Sequence, residues 1–133
     1  FQSRIGVYFS HIPGGTSSWN ILHWGQLSNR GIVQHFDMNP IDNLRKYGQI
    51  TAPPYNYKLI DAPIHLFSSE NDWLAMEEDI VKFYFNATKP GVIKGSYRVN
   101  EFNHLDWTIA MNAPEKVYKP ILQIINKEDP LIC

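Results

Sequence analysis

Two residues of this 133-residue chain stand where a proton can be moved. Asp72 lies just past a short apolar run, Ile64 to Ser68, and His104 lies just past a second, Val92 to Val99, in the context Phe102-Asn103-His104-Leu105-Asp106-Trp107. In open parallel sheets the ligand sits beyond the carboxyl ends of the strands, so ionisable side chains directly after strands are placed to meet it. A carboxylate that accepts from one imidazole nitrogen holds the tautomer in which the other can take a proton from a serine hydroxyl. The pair therefore suits acyl transfer. On spacing alone the plain structural roles stand beside it: an N-cap or Asx turn for Asp72, a bond to a backbone carbonyl for His104.

The elements that must carry this pair lie in the second half of the chain. Pro63 to Ser68 reads as a buried parallel strand, and Ser69-Glu70-Asn71-Asp72 as the turn that follows. A helix is predicted from about Glu77 to Asn86, with Ile80, Phe83, Tyr84 and Ala87 on one face. Val92 to Val99 then reads as a second strand, Asn100 to Asp106 as a loop, and Pro114 to Asn126 as a helix with Val117, Ile121 and Ile125 in line. Strand, helix, strand, helix predicts an α/β fold with a parallel sheet. Pro120 removes a donor inside the last helix, so a kink or a later helix start is expected.

The first half is less regular. Ile5 to Ser10 reads as an extended piece stopped by Pro13-Gly14-Gly15, and Thr16 to Ser18 offer N-caps for a helix carrying Trp19, Leu22 and Leu27 and ending near Gly31. Ile32 to Asn56, with turns at Asn39-Pro40 and Pro53-Pro54, supports a short helix around Leu44 to Tyr47 in otherwise irregular structure.

Composition narrows the function classes. Charged residues make up 19% and aromatics 14%, which argues against disorder. A net charge of −1 gives no basic footprint for nucleic acid. No apolar stretch reaches the length of a membrane span. The one cysteine, Cys133, excludes an internal disulfide and a cysteine-based zinc cluster. Asp106, two residues after His104, makes a His-x-Asp pair, but no third ligand stands at a telling spacing, and helix capping accounts for it; no metal site is predicted.

With these motifs in order, the chain resembles the carboxyl-terminal third of the acid lipases, the gastric and lysosomal enzymes and their relatives. The resemblance is carried by Val7-Tyr8-Phe9-Ser10-His11, Pro13-Gly14-Gly15-Thr16-Ser17, Asn20-Ile21-Leu22-His23-Trp24-Gly25-Gln26, Phe36-Asp37 and Pro53-Pro54-Tyr55-Asn56. It continues through Ala62-Pro63-Ile64, Asn71-Asp72-Trp73-Leu74-Ala75, Asp79-Ile80, Asn103-His104-Leu105-Asp106-Trp107, Ala113-Pro114 and Val117-Tyr118. It implies the last parallel strands and helices of an α/β-hydrolase core over residues 57–133, preceded by part of the cap over 1–56. It implies Asp72 as catalytic acid and His104 as catalytic histidine of a serine lipase acting on triacylglycerols or cholesteryl esters at a lipid interface. Such an enzyme requires no metal or organic cofactor and is secreted or lysosomal.

No Gly-x-Ser-x-Gly occurs: Gly91 to Gly95 has Ile93 at its centre, and Gly15 with Ser17 is followed by Trp19. The nucleophile is therefore expected upstream of Phe1, and the chain alone is expected to be inactive. The contrasting expectation is a truncated, inactive relative acting as a binding or interaction protein. Ser69 stands where the family usually has glycine, Met76-Glu77 where it has Asp-Pro, and Trp19 where glutamine is common. A serine replacing a glycine of positive φ costs on the order of 1 kcal/mol and mis-aims Asp72. Asn86-Ala87-Thr88 is an N-glycosylation sequon. His11, His23, His35 and His65 are read as structural, and Trp19, Trp24 and Phe36 as core packing or the acyl side of a lipid pocket.

Overall fold

The computed structural model describes residues 4–128; Cys133, whose thiol was considered above, lies outside the described residues. The chain divides into two compact units, Phe1–Asn56 and Tyr57–Cys133.

The first unit is helical. Helix α1 spans Ile5–His11, where the apolar and aromatic run predicts an extended piece. An extended segment needs a neighbour to take its backbone donors, whereas here they are satisfied locally, as in the bond from the Ile12 amide to the Tyr8 carbonyl at 3.0 Å. Helix α2, Ser18–Arg30, starts where Ser17 accepts from the Trp19 amide and ends at Gly31, whose φ of 61° lets the chain turn left-handed. Helix α3, Pro40–Tyr47, begins four residues earlier than the sequence suggests. Asn39-Pro40 is a helix start and not a turn, with the Asn39 side chain accepting from the Asp42 amide and proline at the first helical position.

Between α2 and α3 the unit is held by carboxamides. Asn43, 1% exposed, accepts from the Met38 amide at 3.0 Å and donates to Asp37 Oδ1 at 2.6 Å and to the Ile50 carbonyl at 3.0 Å. Gln26 bonds both the amide and the carbonyl of Asp37. One isolated antiparallel bridge joins Gln34 to Pro54.

The second unit has the expected strand, helix, strand, helix order. Strand β1, Ile64–Ser68, pairs in parallel with β2, Ile93–Arg98, so the unit is α/β with a two-stranded parallel sheet among the described residues. The register slips once, between Ile64 and His65, and His65 then faces Gly95. A side chain at Gly95 would strike the Tyr97 hydroxyl at 2.6 Å and its ring at 2.7 Å; its absence lets that ring stack on Phe67 at 4.7 Å. Helix α4, Glu77–Ile80, continues as a wider π turn, Val81–Phe85, so the predicted helix to Asn86 is present with a change of winding. Helix α5, Asp106–Ile109, closes the loop after β2. A π turn, Pro114–Tyr118, precedes α6, Lys119–Glu128. The helical winding begins at Pro114, where the sequence places it, and changes from π to α at Lys119, directly before Pro120, so the missing proline donor falls at the change of winding and not at a later start.

The core of this unit is Val99, Phe102, Ala113 and Val117, with Phe67, Trp107, Ala110 and Ile121 packed against it. It lies beneath the loop that carries His104. Exposure falls along β1 toward its carboxyl end, where Ser68 is buried, so the strand delivers its successor residues into the interior.

Candidate active site

The turn after β1 and the loop after β2 meet, and Asp72 and His104 meet with them. His104 Nδ1 lies 3.1 Å from each carboxylate oxygen of Asp72. A carboxylate only accepts, so Nδ1 is the donor and Nε2 is left on the opposite edge of the ring as the basic nitrogen. Asp72 is 4% exposed, while the His104 side chain is 49% exposed. A buried acid under a half-open imidazole is the geometry of an orienting group beneath a proton acceptor.

Asp72 is held from several directions. Its Oδ1 accepts from the Leu74 and Ala75 amides, each at 3.0 Å, so the Asx-turn role considered from the sequence coexists with the contact to His104. Its Oδ2 accepts from the Trp107 indole Nε1 at 3.0 Å. Burial works to raise its pKa, but bonds from His104, the Ala75 amide, Trp107 and the Leu74 amide outweigh that and leave it below the ordinary carboxylate value. It is built to stay ionised.

The His104 loop is closed by its own residues. The Asn103 amide donates to Asp106 Oδ2 at 2.9 Å, and Asn103 Oδ1 accepts from the Leu105 amide at 3.0 Å and the Asp106 amide at 3.3 Å. This reciprocal cap encloses His104 and gives Asp106 the capping role expected of it. Among the described residues, no group of three His, Cys, Asp or Glu side chains is placed to hold a metal ion.

Ser69 sits between the two loops. It is 1% exposed, and its hydroxyl lies 2.6 Å from the Phe102 carbonyl and 3.2 Å from the Asn100 carbonyl while accepting from the Asn71 amide at 3.1 Å. No described residue other than glycine has a positive φ, so the strain expected at Ser69 is absent. The departure at Met76-Glu77 also has a structural use: Glu77 takes a two-point ion pair from Arg98 at the end of β2. Ser69, Asn71, Asn103 and Trp107 were not singled out from the sequence as site residues. For Trp107 a signal existed, since it closes the Asn103 to Trp107 motif that carries His104.

A cavity of about 240 Å³ opens beside the pair, lined by Asn71, Trp73, Leu74, Asn103 and His104. Trp73 and Leu74 are 83% and 73% exposed. The other histidines take structural contacts: His23 Nε2 with the Gln34 carbonyl at 2.8 Å, His35 against Tyr55 at 4.2 Å, and His65 Nδ1 with the Tyr97 hydroxyl at 3.3 Å. His11 lies exposed in the last turn of α1. Trp19 packs edge-on to Phe36 at 4.8 Å, and both line a separate cavity of about 340 Å³ within the first unit. Trp19 and Trp24 are more than half exposed, which sets aside the core-packing expectation for both. Asn86 is exposed after the π turn, with the Thr88 hydroxyl bonded to the Tyr84 carbonyl.

No protein-family model matches the chain. Individual relatives do. The gastric triacylglycerol lipase of Bos taurus is 38% identical over 128 residues, covering 96% of this chain and 32% of the relative. The lipl-3 lipase of Caenorhabditis elegans is 35% identical over 128 residues, again 96% of this chain and 32% of the relative. A Crotalus adamanteus protein bearing a lysosomal acid lipase/cholesteryl ester hydrolase name is 32% identical over 127 residues, 95% of this chain and 31% of the relative. The chain thus spans about a third of the length of the curated relatives it matches. Along nearly all of its own residues the chain is similar to these lipases, and the match is that of a fragment of an acid lipase.

Proposed function

We propose that this chain supplies the acid and the base of a Ser-His-Asp triad in a carboxylic ester hydrolase that acts on neutral lipid esters, triacylglycerols or cholesteryl esters, at a lipid interface. The observation that carries the reading is the bond from His104 Nδ1 to both oxygens of a buried Asp72. The serine and the oxyanion donors lie outside these residues, since no Gly-x-Ser-x-Gly occurs among them. Residues 57–133 form the carboxyl-terminal part of an α/β-hydrolase core, and residues 1–56 belong to its cap.

In that enzyme the serine oxygen attacks the ester carbonyl while His104 Nε2 takes its proton. The imidazolium, stabilised by Asp72, returns the proton to the departing alcohol as the acyl-enzyme forms. Water then attacks the acyl carbonyl while His104 takes its proton, and the imidazolium returns that proton to the serine oxygen as the acyl–serine bond breaks and the fatty acid leaves. The protein is secreted or lysosomal and carries glycan at Asn86, as names of relatives and the exposed sequon support.

The test is labelling by a serine-reactive phosphonate of the protein expressed from its complete reading frame. Labelling is expected, and His104→Ala abolishes it. Labelling that persists in His104→Ala would refute the assigned base, and a complete frame that never labels would favour the inactive binding relative. Asn86 is tested separately, by a mass shift on peptide N-glycosidase treatment that Asn86→Gln removes.

A further inference from the structure

We propose that Trp107 is a positioning residue for the acid: its indole N–H fixes the orientation of the Asp72 carboxylate under His104, a role that rests on the triad reading above. The two oxygens of Asp72 are served by different parts of the fold. Oδ1 takes the Leu74 and Ala75 amides, donors set by the turn Asp72 itself closes. Oδ2 takes Trp107 Nε1 at 3.0 Å, and His104 Nδ1 bridges the two oxygens. The terminal torsion of an aspartate is soft. Without the indole, Oδ2 is left with His104, the very group the carboxylate has to orient, and the carboxylate can turn about its Cβ–Cγ bond; an independent donor on Oδ2, fixed in the second loop, prevents it.

The surroundings give that donor weight. Glu70, Glu77 and Glu78 border the same cavity of about 140 Å³ as Asp72, and Arg98 is engaged by Glu77. The charge on Asp72 is therefore held by uncharged N–H groups together with His104, against acidic neighbours on its own side. Trp107 is itself held: its ring meets Phe102 edge-to-face, centroids 5.4 Å apart at 74°. Phenylalanine would serve that packing, but the N–H needs the indole.

The experiment uses the protein from its complete reading frame. In the unmodified protein the ¹⁵N-indole resonance of Trp107 is expected to move with the same pH midpoint as the Asp72 carboxyl carbon. A Trp107 resonance flat through that midpoint would overturn the proposal, without any question of a variant's folding. Trp107→Phe is expected to lower kcat on a soluble p-nitrophenyl ester about tenfold with KM within about twofold, as loss of one bond to a charged group predicts. It should also move the Asp72 midpoint upward, while Phe102→Leu, which loosens the same packing but keeps the N–H, leaves it in place. An unchanged kcat and midpoint in Trp107→Phe, or an equal shift in Phe102→Leu, counts against the role. Full ester turnover in His104→Ala would instead remove the triad, an outcome distinct from these because the indole titration reads the contact independently of catalysis.

Discussion

The two units of the chain are specified by different forces. In residues 1–56 the largest fully buried side chains are carboxamides, Gln34 and Asn43, while Trp19, Ile21, Leu22 and Trp24 are 58–66% exposed. In residues 57–133 the interior is apolar, Val99, Phe102, Ala113 and Val117, and the buried carboxylate of Asp72 rests above it. Directional bonds set shape but contribute only about 1 kcal/mol each net, whereas a buried aromatic side chain is worth about 3–5 kcal/mol when truncated. The first unit thus has defined geometry with much of its apolar surface turned outward. The second has its own foundation, and the candidate site is built there.

The sharpest way to probe that difference is at the site. Asp72→Asn keeps the volume and removes the charge that orients His104; ester turnover should fall about 10⁴-fold, measured as kcat, with KM little changed. The same variant reports on acid stability. The folded-state pKa of Asp72 is lowered, so its contribution is fully present above the unfolded value and is lost as pH falls through the folded value. The stability gap between the native protein and Asp72→Asn, followed by urea titration, should narrow with falling pH; a constant gap would contradict it.

Phe102→Ala removes the ring from under both loops and should destabilise the second unit by about 3–5 kcal/mol. Amide hydrogen exchange should then rise at β1, β2 and α6 while α2 and α3 keep their protection. Asn43→Ala tests the converse. It leaves the Met38 amide and the Ile50 carbonyl unpaired and should cost about 2–3 kcal/mol, with faster exchange confined to the first unit and the His104 resonances unmoved. If either variant loosens both units equally, the contrast between them fails. Ser69→Ala should be the mildest, about 1 kcal/mol, with a small loss of kcat, because it removes neutral hydrogen bonds and leaves every donor to Asp72 in place.

The second unit was more legible than the first for a physical reason. The apolar runs over Ile64 to Ser68 and Val92 to Val99 report on burial against a sheet neighbour, and the parallel pair is where they point. Ile5 to Ser10 carries similar residue types, yet no described residue offers it a strand to pair with, and propensity yields to local backbone bonding. Asn39-Pro40 is ambiguous in sequence because the same dipeptide opens turns and caps helices; the Asp42 amide decides it. At the site, Asp72 and His104 were visible from their positions after strands. Trp107 stood in the quoted Asn103 to Trp107 motif and Ser69 as a departure after the strand, but their bonds were not legible, because an indole or a hydroxyl announces no chemistry until its partner, some 33 to 35 residues away, is in place.

That separation bears on how the site is assembled. The amides of Leu74 and Ala75 reach Asp72 from two and three residues away, so half of the carboxylate's shell can form with the turn itself. His104 and Trp107 come from 32 and 35 residues on, and their arrival requires the β1–β2 crossover to close. Contacts of that sequence separation are the slow ones in folding. The acid is thus caged in two stages, a local one and a topological one, and only a chain that has completed its parallel pairing presents an ionised Asp72 under a directed imidazole. Competence of the pair and completion of the fold are in this sense one event.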